Sequence, residues 1–71
     1  MKKIRIILEE SQCAGCLYQV AKSLKDVDGI LISQVNNIRN TIIVYTEERI
    51  QEIDIKKHIH MWGYKTNYVG P

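Results

Sequence analysis

The hydrophobic period changes within the first third of this chain, and that change restricts the folds open to it. Ile4, Ile6 and Leu8 alternate with Arg5, Ile7 and Glu9, the period of two expected of a strand with one covered face. From Cys16 the pattern lengthens. Leu17, Val20, Ala21 and Leu24 fall at i, i+3, i+4 and i+7, the apolar stripe of a helix. A polar and small run, 10–15, joins the two periods, and the junction reads Ser11-Gln12-Cys13-Ala14-Gly15-Cys16. Both cysteines of the chain therefore stand where a strand over 2–9 passes into a helix.

The rest of the chain extends this pattern. Lys22 and Lys25 lie off the helical stripe, and Lys25 falls in the last turn, where a cation suits the helix dipole. Asp28-Gly29 stops the helix and turns the chain. Ile30 to Asn36 returns to alternation, with Leu31, Ser33 and Val35 expected on one side. Asn36-Asn37 and Arg39-Asn40 supply turn chemistry, since Asn tolerates positive φ. The β-branched and aromatic run Thr41 to Thr46 follows closely enough to complete a hairpin. A second helix fits 51–61 with Ile55, Ile59 and Trp62 on its stripe, Gly63 caps it, and Tyr64 to Val69 forms a last strand. The order β-α-β-β-α-β predicts an α+β fold, the ferredoxin-like sandwich of a four-stranded antiparallel sheet with both helices on one face. In that arrangement the loop after the first strand and the loop before the last share one end of the sheet. Cys13 and Cys16 are thus expected near Gly63 and Tyr64.

Length and composition narrow the class. Seventy-one residues make a single domain, 1–71, the expectation, with a modest core, since a chain this short buries only about 60% of its unfolded surface. An apolar fraction of 45% and a charged fraction of 25% fit a folded domain. The longest apolar run, Ile42-Ile43-Val44-Tyr45, falls far short of the roughly 20 residues that span a bilayer, so no membrane insertion is expected. Lys2 and Lys3 are followed by Arg5, Glu9 and Glu10, which interrupt any leader-like apolar stretch. The chain reads as cytoplasmic, where an isolated cysteine pair stays reduced and serves metal or redox chemistry rather than structure. The formal charge is only +2. Lys and Arg are scattered and balanced by Glu47, Glu48, Glu52 and Asp54, whereas nucleic-acid binding requires a basic stripe with interleaved aromatics, so no nucleic-acid partner is expected. No acid–base pair, nucleophile with a base or phosphate-cradling glycine loop stands out, and an enzymatic role is not expected.

Two chemistries suit a C-x-x-C step, in which both sulfurs reach one point. They can cycle between dithiol and disulfide, or they can clamp one soft ion. Cys13 in the loop and Cys16 in the first helical turn lie beside backbone N–H groups and a positive helix end, which favour the thiolate. Two thiolates without a fixed third ligand suit an ion content with two-coordination, such as Cu(I). A structural zinc site takes four ligands, and here two cysteines are accompanied by two distant histidines. Redox dithiols of the thioredoxin type belong to a longer chain and use a cis-proline; the one Pro here is terminal.

Taken together, Cys13-Ala14-Gly15-Cys16, Val20 and Leu24, Val27-Asp28-Gly29-Ile30, Val35-Asn36, Ile55, Ile59 and Gly63-Tyr64 resemble, in order and over nearly the whole chain, the heavy-metal-associated (HMA) domain family. That family comprises copper chaperones, mercury-binding carriers and the N-terminal modules of P-type metal-transporting ATPases. The resemblance implies the ferredoxin-like fold and a metal held by Cys13 and Cys16. The ion would be Cu(I), with Hg, Cd and Zn as other thiophilic candidates. The partner would be a P-type ATPase or another dithiol domain, receiving the ion through transient three-thiolate intermediates; a metal-bridged dimer is a further arrangement of the same ligands. Where the family places Gly-Met, this chain has Glu10-Ser11. Ser11 is a candidate helix cap, and the charge of Glu10 near thiolates raises their pKa.

Other residues are weighed against simpler roles. Tyr64 stands where the family keeps an aromatic near the metal loop, as a shield of the site or as core packing. His58 shares the stripe of Ile55 and Ile59 and is expected to pack partly buried. His60 points off that stripe close to the metal end, an additional ligand or an exposed side chain. Met61 reads as surface or packing, and Trp62 as core or rim. Lys56, Lys57 and Lys65 are solubilising charges or help a partner dock. Three readings compete with a metallochaperone: a metal-binding regulatory module of a P-type ATPase, a thiol redox protein, and an interaction domain with weakened metal binding.

Overall fold

Alternate residues of the first strand are fully enclosed, and the sheet is built outward from them. The computed structural model describes residues 1–9 and 14–71, the side chain of Ala14 excepted. The elements are β1 (Lys2–Leu8), α1 (Ala14–Lys25), β2 (Ile30–Asn36), β3 (Thr41–Thr46), α2 (Glu52–Met61) and β4 (Thr66–Gly70). The four strands form one sheet in the order β2-β3-β1-β4, every pair antiparallel. This is the ferredoxin-like βαββαβ fold expected from the periodicities.

Ile4, Ile6 and Leu8 of β1 meet Ile42 and Val44 of β3 beneath Leu17, Val20 and Leu24 of α1 and Ile55 and Ile59 of α2, all buried. Each such side chain contributes about 1.5–3 kcal/mol on burial, so this one layer between sheet and helices carries most of the stability.

Two expectations about the core are corrected. Leu31 was expected beside Ser33 and Val35 but is 54% exposed, and Ile30 takes the buried place. The pairing explains this. Ile30 opposes Thr46 and Ile32 opposes Tyr45, so Leu31 is an extra residue, a bulge that reverses the inward parity of everything before it. Trp62, expected on the buried stripe of α2, is 54% exposed because the helix ends at Met61 and Trp62 is its C-cap. Boundaries also move. β1 stops at Leu8, α1 begins at Ala14, and β4 begins at Thr66, two residues past Tyr64.

The α1–β2 turn uses Gly29 at φ +101, in the left-handed region. A Cβ on Gly29 would lie 2.6 Å from Cδ1 of buried Ile50. Arg49 ties the same corner together. Its guanidinium contacts Glu47 at 2.9 Å and Asp28 at 3.0 Å, and the hydrogen bond and charge of Glu47, followed by Asp28, raise its pKa. At the start of α2, the Gln51 N–H donates to Asp54 Oδ2 at 3.3 Å, half of a capping box. Lys2 Nζ reaches the Ile50 carbonyl at 2.7 Å and Glu52 at 3.1 Å, fastening β1 to the same segment.

Candidate metal site

Cys13, Glu10 and Ser11 lie outside the described residues. The flanks of their loop are described, and they show what holds its two ends. Cys16 sits in the first turn of α1, partly buried, and is disulfide-bonded in this structure. One position on, Leu17 is buried and anchors that turn to the core.

At the other end, β1 enters the loop under the control of Asn40. Its side-chain amide donates to the Leu8 carbonyl at 2.7 Å and the Glu9 carbonyl at 2.8 Å, while its own carbonyl accepts from the Leu8 N–H at 3.0 Å. Asn40 makes these bonds at φ +54, a conformation Asn adopts more readily than most residues. The sequence marked Asn40 only as turn chemistry. The positive-φ tolerance was legible, but the reach of its amide to a strand 32 residues away was not.

The Glu9 N–H donates to the Lys65 carbonyl at 3.2 Å, so the residues entering the loop lie against the α2–β4 connection, as the fold implied. That connection is a Schellman motif. The Gly63 N–H donates to the His60 carbonyl at 3.0 Å and the Tyr64 N–H to the Ile59 carbonyl at 3.3 Å, with Gly63 at φ +89. The motif turns Tyr64 inward, where it packs on the core and its hydroxyl donates to Gln19 Oε1 on α1 at 3.3 Å. Gln19 lies three positions past Cys16 on the same helix. Tyr64 is thereby joined to the helix that carries the described cysteine, through a hydroxyl bond to an amide that the sequence did not single out.

The histidines separate. His58 is partly buried, with Nε2 3.2 Å from Ser23 Oγ and its ring 6.4 Å from that of Trp62. Ser23 donates its hydroxyl hydrogen to the Val20 carbonyl at 2.8 Å, so it accepts from His58, and Nε2 carries the proton. This is the packing role expected of His58. His60 is exposed and lines a cleft with Glu9, Lys56, Gly63, Tyr64 and Lys65 at the loop end of the sheet. Met61 is 87% exposed. Among the described residues, no three His, Cys, Asp or Glu side chains come together as a ready-made cation site.

No family model matches the sequence, and no curated protein matches it. Solved structures do. A copper-binding domain from HMA7, a P-type ATPase, superimposes with a TM-score of 0.84 at 26% identity, over 100% of this chain and 96% of that one. The chain has the fold of a heavy-metal-associated domain. The N-terminal domain of PacS from Synechocystis PCC6803 matches this HMA fold at 21% identity and a TM-score of 0.79, covering all of both chains. The CopZ metallochaperone does so at 21% identity and a TM-score of 0.79, over 92% of this chain and 98% of that one. No helix, among the described residues, is long and apolar enough to cross a membrane.

Proposed function

We propose that this domain binds a soft metal ion, Cu(I), through Cys13 and Cys16 and hands it to a second dithiol site in a metal-transporting ATPase or a similar domain. The observation that carries the reading is the position of Cys16. It stands in the first turn of a helix that Gln19 ties to Tyr64 of the α2–β4 connection, in a fold shared with a copper-binding domain of a P-type ATPase and with a metallochaperone. A thiolate there is favoured by the helix end, and two thiolates suit a monovalent soft ion. His58 is unsuited as a ligand, since its Nε2–H already serves Ser23.

The ligands must be thiolates, so the binding form is the reduced one, which fits a reducing compartment such as the cytoplasm. Transfer would then be ligand exchange. An incoming thiolate adds to the ion, one of the resident cysteines leaves, and no bond within either protein is made or broken. The ion is cargo, and the domain turns over no substrate.

The test is a transfer experiment. The Cu(I)-loaded, reduced domain is mixed with a separate dithiol metal-binding domain in the presence of a Cu(I) chelator too weak to strip either protein. Redistribution of copper between the proteins, without chelator colour, is the expected result. Copper that reaches the acceptor only after appearing on the chelator would overturn direct transfer.

A further inference from the structure

The outer face of the sheet, turned away from both helices, has a composition that metal exchange does not use. Strand pairing places Lys3, Arg5 and Ile7 of β1 opposite Tyr45, Ile43 and Thr41 of β3, with Ile32 of β2 beyond Tyr45 and Tyr68 of β4 beside Ile7. Ile7, Ile43 and Tyr45 are partly buried, while Ile32 is 43% and Tyr68 38% exposed. Lys3, Arg5 and Arg39 surround Ile7 and Ile43 of this floor in one shallow groove that, among the described residues, no acidic side chain lines. The next acid along β3, Glu47, lies past the end of the strand and is paired with Arg49. Acids and bases that balance along the sequence therefore separate on the surface. Asp28, Glu47, Glu48, Glu52 and Asp54 gather around the β2 start, the β3 end and the α2 start, and Glu9 lines the cleft beside the α2–β4 connection, so that among the described residues only positive side chains line this groove.

We infer that the outer sheet face docks an acidic amphipathic helix of a partner protein. An open sheet face with an apolar centre is the surface a helix covers in layered folds, and unopposed cations at its rim select a negatively charged one. Lys3 and Ile7 lie about 14 Å apart along β1, and a helix rises about 1.5 Å per residue, so roughly nine helical residues match that span. Single-stranded nucleic acid needs free aromatic faces for base stacking. Tyr68 offers little, since the Arg5 guanidinium stands 5.3 Å from its ring centroid and the ring lies over Gly70. A second copy of this chain fits less well, because the outer sides of its own helices present Lys22, Lys25, Lys56 and Lys57 against only Glu52 and Asp54. The groove runs toward Arg39 and the 37–40 turn, whose Asn40 holds the start of the metal loop. The inference itself requires no bound metal.

The test uses the reduced, metal-free chain, a synthetic helical peptide with a leucine stripe flanked by glutamates, the same peptide with lysines for glutamates, and an oligouridylate. Amide chemical-shift mapping should place the glutamate peptide on Ile7, Ile32, Ile43 and Tyr68. Its affinity should fall by about tenfold or more when added salt screens exposed charges or when Lys3→Glu, Arg5→Glu and Arg39→Glu are combined. Equal binding of the lysine peptide, shifts confined to α2 or the loop end, or preferential binding of oligouridylate on this face would each overturn the inference. The unmodified chain with the paired peptides decides the matter even if the triple variant folds poorly.

Discussion

At the scale of single residues, Asn40 and Tyr64 hold the described flanks of the β1–α1 loop. Asn40 satisfies two carbonyls at the end of β1 and occupies a left-handed conformation. Asn40→Gly keeps that conformation accessible and removes only the amide, so it isolates those two bonds. It should cost about 1–3 kcal/mol, which for a domain of this size lowers Tm by about 4–8 °C per kcal/mol. Thermal melts of the metal-free protein followed by circular dichroism check this, and a wild-type Tm would show that the two bonds do not support the strand end. Tyr64→Phe keeps the ring on the core and loses only the hydroxyl bond to Gln19. Its stability should change by no more than about 1 kcal/mol, measurable by urea unfolding. A larger loss would mean the hydroxyl has a buried role that the Gln19 contact does not explain.

At the scale of elements, two glycines with positive φ shape the connections that follow the two helices, Gly29 in the α1–β2 turn and Gly63 at the end of α2, and their surroundings rank their importance. A side chain at Gly29 meets Ile50 at 2.6 Å, whereas one at Gly63 meets nothing within 4 Å. Gly63→Ala therefore carries only the left-handed backbone cost, about 1–2 kcal/mol, and Gly29→Ala adds the displacement of a buried isoleucine. Denaturant midpoints of the two variants should fall in the order wild type, Gly63→Ala, Gly29→Ala; the reverse order of the two variants would contradict the packing described at the turn. The same elements show what the sequence makes legible. Ile4, Ile6, Leu8, Leu17, Val20, Leu24, Ile55 and Ile59 follow from period alone, because each faces one continuous core. Leu31 does not, since an inserted residue in an edge strand changes parity without altering the local pattern. Trp62 does not either, because the apolar stripe runs past the point where Gly63 ends the helix. At the candidate site, the meeting of the two loop ends could be read from topology, and the Asn40 and Gln19 contacts arise only from tertiary placement.

At the scale of the whole molecule, the fold brings the α1 start, the β1 end and the α2–β4 connection to one pole, and most of the acids to the other. A site made of thiolates at the first pole ties binding to protonation, because each thiol loses its proton when the ion binds. Apparent Cu(I) affinity should therefore rise with pH in competition measurements across the neutral range; an affinity that stays flat or falls would argue against cysteine ligands. The most direct test is an anaerobic titration of the reduced domain with Cu(I) against a strong competing chelator. About one ion per chain should be retained, as two thiolates suit one soft ion, and either Cys13→Ser or Cys16→Ser should abolish that retention. If the wild-type domain cannot compete at all, or if both serine variants retain the ion as well as wild type, the proposed site is wrong.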